Sequence, residues 1–196
     1  MTDHALVDDP IAQLRTWLDE ARASVPEPHA MTLATATLDG RPSARVVLLR
    51  GMDERGLTFF TNRRSRKGDE LRLNRRAAIA IHWWELGRQV RIEGAIEEVS
   101  VEESIAYWDT RPRGSQIAAW ASPQSEPFSD RTELEQRVAE VEERFGAAPV
   151  PLPPFWGGYR LVPHSIELWT HRDDRLHDRL LYVREGAGWR RERLAP

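Results

Sequence analysis

The sequence predicts a mainly β, α+β protein: an antiparallel sheet closed into a barrel, with helices at its periphery. Three observations carry this. Strand-length apolar segments follow one another through tight turns, whereas the helical segments are few and each opens on a capping signal. The third is size, because 196 residues suffice for one domain with a real core. We expect a single domain over 1–196, with an N-terminal helix and arm over 1–28 and the barrel with its inserted helices over 29–196. A composition of 40% hydrophobic and 30% charged residues fits a globular chain rather than a disordered one.

Asp8-Asp9-Pro10 starts a helix whose apolar Ile11, Leu14, Leu18 and Ala21 recur every three or four residues to near Ala23, before Pro26 and Pro28. Met31 to Leu38, the turn Asp39-Gly40, and Pro42 to Arg50 make a hairpin. A turn at Asp53 to Gly56 precedes the strand Leu57 to Thr61, and Ser65 caps a helix to about Leu73. Ala77 to Trp84 and Arg88 to Val99 are further strands. Ser100 with Glu103, and Asp130 with Glu133, are capping boxes; the first helix stops at Pro112 and the second carries Leu134, Val138, Val141 and Phe145. Pro149, Pro151, Pro153 and Pro154 form a stiff connector to the last strands, Tyr159 to Trp169, Leu180 to Arg184 and Gly188 to Arg193.

The absence of cysteine excludes disulfides, thiolate metal sites and a cysteine nucleophile. The histidines show no HExxH or comparable spacing, so no metal is expected. No apolar run approaches the roughly 20 residues of a membrane span, and Met1-Thr-Asp-His lacks the regions of a secretory signal. A cytoplasmic protein without a membrane partner is predicted. Net charge of −3 hides a basic cluster of Arg63, Arg64, Arg66, Lys67, Arg72, Arg75 and Arg76, opposed by Asp69 and Glu70 alone. Such a patch suits a phosphate-bearing partner. It lacks a helix-turn-helix, zinc-finger or RNP pattern, so nucleic acid is not expected. Eight tryptophans serve as core filler, dimer contact or stacking surface, and their number does not choose among these.

Four constellations bear on chemistry. Ser65-Arg66-Lys67 at a helix start combines free backbone N–H groups, the positive dipole end and two cations, next to Phe60, Thr61 and Asn62 at a strand end. Without a GxGxxG or GxxxxGK(S/T) loop, a monophosphate fits this better than a dinucleotide; in isolation it also reads as an exposed basic helix. Tyr107 and Arg111 are four apart on the helix that Pro112 ends, with Arg113 and Ser115 in the exit loop, and either hold a second phosphate or complement the helix dipole. Arg45 and Arg50, five apart on one strand, face opposite ways unless the strand is irregular; Gln89 is an amide among apolar strand residues that suits a heterocycle with paired carbonyl and N–H groups. Finally, Arg175, His177 and Arg179 would share one face of a regular strand, although the segment alone reads as a solvated charged turn.

In order and spacing, Arg45-Val-Val-Leu-Leu-Arg50, Phe60-Thr61-Asn62, Ser65-Arg66-Lys67, Arg88-Gln89-Val90, Arg111-Pro-Arg-Gly-Ser115-Gln116, Gln124-Ser125, Phe155-Trp-Gly-Gly-Tyr159, Arg175-Leu-His-Asp-Arg179 and Arg193-Leu-Ala-Pro196 closely resemble the bacterial pyridoxamine 5′-phosphate oxidase family. The resemblance runs from about Asp9 to Pro196. It implies an FMN-binding split β-barrel working as a homodimer, with FMN at the subunit interface. Arg45, Arg50, Phe60, Thr61, Arg66 and Lys67 would hold FMN from one subunit, and Gln89, Gln124, Ser125, Trp169 and Arg179 from the other. Arg50, Tyr107, Arg111 and Ser115 match the family's substrate-phosphate contacts, and Arg175 and His177 its contacts near the pyridine ring, where they are the candidate catalytic residues. The implied reaction is oxidation of pyridoxine or pyridoxamine 5′-phosphate to pyridoxal 5′-phosphate, with dioxygen reduced to hydrogen peroxide. The sequence departs from the family at Arg50 (commonly lysine), Phe60 (usually tyrosine), Thr170-His171-Arg172 (commonly Gln-Gly) and in lacking an N-terminal Arg-x-x-Tyr stretch. Two other readings stand beside this one: a related FMN oxidase of the phenazine-biosynthesis type, and a flavin- or pyridoxal-phosphate-binding protein without turnover.

Overall fold

A computed structural model describes residues 8–196. Asp9 caps helix α1 (Pro10–Ala21) by accepting the Ile11 N–H at 2.9 Å, and the periodic Ile11, Leu14, Leu18 and Ala21 are its buried face. The strands are β1 (Ala30–Ala36), β2 (Pro42–Leu48), β3 (Gly51–Asp53), β4 (Gly56–Asn62), β5 (Arg76–Trp83), β6 (Arg88–Glu98), β7 (Trp156–Thr170), β8 (Asp178–Glu185) and β9 (Gly188–Arg193). Helix α2 (Arg66–Leu73) connects β4 to β5, and α3 (Val101–Asp109), α4 (Arg113–Ala121) and α5 (Arg131–Phe145) lie between β6 and β7. All pairings are antiparallel, in the order β2-β1-β5-β6-β7-β4-β3, with β8 on β7 and β9 on β8. This is the antiparallel sheet with peripheral helices that the strand and turn pattern predicts.

One strand organises the sheet. β7 is 15 residues long and pairs with β6 along almost all of its length. Its other edge takes β4 at Trp156–Leu161 and β8 at Ser165–Thr170. Between these halves the β6–β7 register shifts at Glu93/Gly94, an irregularity of the kind that bends and twists a sheet. The main core packs α1 against the strands through Leu14, Leu33, Phe59, Ile92, Leu161 and Ile166. A second cluster, Trp108, Ile117, Val150 and Trp156, sits under α3, α4 and α5, where Val138, Val141 and Phe145 close it as the α5 periodicity predicts.

Three expectations are corrected. The strand drawn from Pro42 to Arg50 ends at Leu48; Arg50 lies beyond it, its N–H donating to the Thr58 carbonyl at 2.8 Å, so Arg45 and Arg50 belong to different stretches of backbone. Pro112 does end one helix, but it is also the extended N-cap of α4, so Arg113 and Ser115 open a helix instead of occupying a loop. Arg175 is not on a strand. Asp173–Arg175 is a short 3₁₀ turn in which Asp174 and Arg175 have φ of 57° and 62°, so Arg175, His177 and Arg179 do not share a strand face. Among the described residues, no helix is long and apolar enough to cross a membrane.

Gly94 sets how closely β6 approaches β7, since a Cβ there would lie 2.1 Å from the Val162 carbonyl oxygen. Gly94→Ala is therefore expected to destabilise the fold by about 1–3 kcal/mol through overpacking, read as a lower urea midpoint at unchanged slope. An unchanged midpoint would contradict this account of the bend.

Candidate functional site

The end of β4 and the start of α2 build a cationic cradle. Ser65, fully buried, caps α2 by accepting the Gly68 N–H and donates its own hydroxyl to the Asn62 carbonyl at 2.7 Å. This tight entry turns Lys67 inward. Only 8% exposed, its Nζ donates to Thr61 Oγ1 (3.1 Å), Ser65 Oγ (3.1 Å) and Gln124 Oε1 (2.9 Å). Burial, followed by the nearby Arg45 charge, lowers the Lys67 pKa to about 8. One turn on, the buried Glu70 carboxylate accepts from Ser43 Oγ (2.6 Å), Thr35 Oγ1 and Arg66 Nε (2.9 Å), with Arg45 Nη2 at 3.4 Å. Burial works to raise its pKa, but the hydrogen bonds from Ser43, Thr35 and Arg66 prevail and hold it at about 2. Arg45, from β2, is fixed by Thr35 Oγ1 (2.6 Å), the Leu33 carbonyl (3.2 Å) and Ser43 Oγ. The structure thus brings Arg45, Thr61, Arg66, Lys67 and Gln124 together in one chain. Gln124, which the resemblance assigns to the other subunit's share of the site, bonds Thr61 and Lys67 of its own chain here. Ser125, at φ 76°, follows it and lines a cleft beside Arg66.

Next to the cradle lies an aromatic and cationic wall. Phe60 stacks on Tyr107 at 4.2 Å between ring centres and on Trp156 at 5.5 Å. The Arg111 guanidinium lies over Trp156 (4.9 Å) and Trp108 (5.4 Å), donates to the Ser115 carbonyl at 2.8 Å, and is joined by Arg50 over the Tyr107 ring at 5.9 Å. Arg111 lies beyond the α3 C-cap, Thr110, so it meets this group from the α3–α4 connection and not from the helix face that the spacing suggests. Its Nε is buried without a hydrogen-bond partner among the described residues. Burial lowers the Arg111 pKa and the Arg50 charge adds to this, while the Tyr107 phenol works the other way. A cavity of about 340 Å³, whose walls include Phe60, Thr61, Arg111, Ser115, Gln124 and Trp156, touches both the cradle and the wall.

A third group sits elsewhere. Gln89, Trp169 and Arg179 are in register across β6, β7 and β8. Arg179 donates to Glu167 Oε1 at 2.8 Å and to the Ala195 carbonyl at 3.0 Å. The His177 ring lies 4.6 Å from Trp169 and 5.2 Å from His171, and its Nδ1 accepts the Arg172 N–H at 3.2 Å. Arg175 is exposed on the adjoining turn. The cradle borders the Trp156 end of β7 and this group the Trp169 end, roughly 40 Å apart along the strand at about 3.3 Å per residue. Sequence reasoning passed over Trp108 and Trp156 as a platform for Arg111, and gave Glu70 no role beyond opposing the basic cluster. The Arg66/Glu70 spacing of four on a helix was the available signal for the latter.

An anion bound against Lys67 Nζ stabilises its protonated form and raises its pKa from about 8 toward or beyond the ordinary 10.5. Affinity for a phosphate monoester dianion is therefore full between about pH 6, where the monoester loses its second proton, and about pH 8, and falls by up to about tenfold per pH unit above that, with a proton taken up on binding in the upper range. Calorimetry in buffers of different ionisation enthalpy reads that proton; a flat affinity profile across this range contradicts the assignment.

Residues 18–145 match the family profile described as pyridoxamine 5′-phosphate oxidase, and residues 156–196 match a pyridoxine 5′-phosphate oxidase C-terminal dimerisation region. A protein of Rubrobacter xylanophilus named pyridoxine/pyridoxamine 5′-phosphate oxidase is 61% identical over 189 residues, covering 96% of this chain and 87% of its own. One of the same name from Cupriavidus taiwanensis is 53% identical, covering 100% and 93%. Among solved structures, PhzG from Burkholderia lata, in complex with tetrahydrophenazine-1-carboxylic acid, superposes with a TM-score of 0.92 at 39% identity, covering 98% of this chain and 95% of that one. A pyridoxamine 5′-phosphate oxidase-related, FMN-binding protein of Nostoc punctiforme shares the fold, with a TM-score of 0.77 at 21% identity over 97% of this chain and all of the other. On the strength of these full-length matches, this chain belongs to the pyridoxamine 5′-phosphate oxidase family.

Proposed function

We propose that this protein is an FMN-dependent oxidase that converts pyridoxine 5′-phosphate or pyridoxamine 5′-phosphate to pyridoxal 5′-phosphate and reduces dioxygen to hydrogen peroxide. The observation that carries this reading is a pair of separate cationic groups beside one cavity: Lys67, bonded to the cavity-lining Thr61 and Gln124, with Arg45 and Arg66 behind it, and Arg111 in the cavity wall itself, with Arg50 over the neighbouring Tyr107 ring. Two phosphates, one on the cofactor and one on the substrate, need two such sites. The donor set fits FMN, because the cradle offers two guanidiniums, an ammonium and hydroxyls to a phosphate, and Lys67 has neutral acceptors that an anion improves upon. When bound, FMN supplies a hydride acceptor and a path for the electrons to dioxygen.

The remaining roles belong to the chain. Phe60 and Thr61 would border the flavin ring system, and Gln89, Trp169 and Arg179 would complete its surroundings from the second subunit of a homodimer. Distance supports that division, since one flavin does not span the length of β7 between Trp156 and Trp169. Arg111 and Arg50 would hold the substrate phosphate through their guanidiniums, with the Tyr107 and Ser115 hydroxyls as further donors. Arg175 stabilises charge on the substrate ring. The Nδ1 of His177 accepts a backbone N–H, so neutral His177 carries its proton on Nε2 and acts there as a donor that orients substrate, not as a base. A second reading, an oxidase acting on a phenazine-type ring, draws on the likeness to PhzG. The relatives at 61% and 53% identity favour the vitamin B6 substrate.

Anaerobic addition of pyridoxine 5′-phosphate to the FMN-loaded protein decides among the readings: bleaching of the flavin spectrum is expected, and no bleaching with either B6 phosphate overturns this function. Arg175→Ala is expected to retain FMN and to lose kcat/KM, by about tenfold for each 1.4 kcal/mol of transition-state contact removed. Normal reoxidation by oxygen in that variant localises the defect to the substrate; unchanged reduction by substrate removes Arg175 from the mechanism. Light scattering at micromolar concentration should report about twice 22.6 kDa, and a monomer that still holds FMN contradicts the shared site.

A further inference from the structure

Glu70 is an anomaly in an anion site. It is a carboxylate, 4% exposed, placed between two arginines that would otherwise face the phosphate. Its contact with Arg45 is partly direct, at 3.4 Å, and partly relayed: Arg45 donates to Thr35 Oγ1 and Ser43 Oγ, and both hydroxyls donate to Glu70 Oε2. Arg66 is held on the other oxygen at 2.9 Å. This geometry fixes both guanidiniums before any ligand arrives. It also cancels one positive charge of three, so Arg45, Arg66, Lys67 and Glu70 together carry the charge that balances one phosphate monoester dianion. The hydrogen bonds that hold its pKa at about 2 keep Glu70 ionised throughout the working range of the protein.

Beyond Glu70 the site does not close. A cleft of about 490 Å³, whose walls include Arg64, Arg66, Asp69, Glu70, Gln124 and Glu126, continues outward from the cradle. There is room for more than a monophosphate. The charges oppose one, because three carboxylates line this cleft against two arginines, one of which Glu70 already engages. A second phosphate would stand against three carboxylates, and of the two arginines only Arg64, whose guanidinium lies over the Phe155 ring, is not already engaged by Glu70.

We propose that Glu70 is a specificity-determining residue of the cofactor site: by pinning Arg45 and Arg66 and cancelling one of their charges, it makes the cradle select a flavin with one phosphate, FMN, over one with a pyrophosphate, FAD. This rests on the reading of Arg45, Arg66 and Lys67 as the FMN phosphate site, and it adds a discrimination by charge and not by size.

The test titrates flavin-free protein with FMN, FAD and riboflavin, following flavin fluorescence. In Glu70→Gln, which keeps the volume of the side chain, removes its charge and replaces one acceptor oxygen by an NH2 donor so that Arg66 is released, the FAD/FMN ratio of Kd values is expected to fall by about tenfold or more, with riboflavin unchanged within about twofold. Glu70→Asp keeps the charge and shortens the reach; FMN affinity falls while the ratio stays within about threefold of wild type. An unchanged ratio in Glu70→Gln overturns the proposal. If that variant does not fold, wild-type protein decides: inorganic phosphate should displace FMN at least as well as pyrophosphate, and a clear advantage for pyrophosphate overturns the proposal. Lys67→Ala separates this inference from the reading beneath it. Loss of about ten- to a hundredfold in FMN affinity with riboflavin unaffected supports the phosphate site whatever Glu70 does. No loss overturns both.

Discussion

The pairing of β7 is the constraint on which the site depends. A strand bonded on both edges has no freedom of register, and here one edge is divided between β4 and β8. β4 delivers Phe60 and Thr61 to one end, and the turn after it delivers the inward-facing Lys67. β8 delivers Arg179 beside Trp169 at the other. The helices between β6 and β7 then bring the wall of Tyr107, Trp108 and Arg111 onto Trp156, the first residue of the same strand. A slip of one residue in β7 would turn Trp156 and Trp169 to the wrong face together.

Within that frame, two buried ionisable groups one helical turn apart are treated in opposite ways. Lys67 is desolvated among neutral acceptors and its charge is weakened, which leaves it responsive to an incoming anion. Glu70 is desolvated too, but hydroxyls and a guanidinium compensate it fully and its charge is permanent. One group is a ligand in waiting and the other a structural counter-ion. The aromatic wall repeats the first case with Arg111, whose cation is supported by ring faces and whose buried Nε has no hydrogen-bond partner among the described residues.

What the sequence made legible follows what is local in it. Ser65 as a cap, the cationic start of α2 and the box at Ser100 depend on neighbours within a few residues, and each is found as read; at Asp130 the cap forms, but the Glu133 carboxylate accepts the Ser129 N–H and not that of Asp130, so the box expected there does not close. The burial of Lys67 was not legible, because a lysine in the first turn of a basic helix reads as solvated, and Gln124, which covers it, is 57 residues away. Arg175 was misread because the period-two argument assumes extended backbone, and nothing in Asp174-Arg175 announces two left-handed residues where glycine or asparagine would be usual. Pro112 was read as a stop only, although the same restriction on its φ that ends one helix starts the next. The opposite-face problem of Arg45 and Arg50 disappears once the strand between them ends at Leu48.

The separation of the cradle and the Trp169 group along β7 has a consequence for how the protein responds to its own abundance. If each flavin is enclosed by the Lys67 end of one subunit and the Arg179 end of another, cofactor and second subunit are ligands of the same state, and by reciprocity each tightens the other's binding by the same factor. Dilution then strips flavin, and flavin shortage loosens the assembly. A cell that makes more of this chain gains occupancy per chain as well as number, until either the cofactor or the partner is saturated.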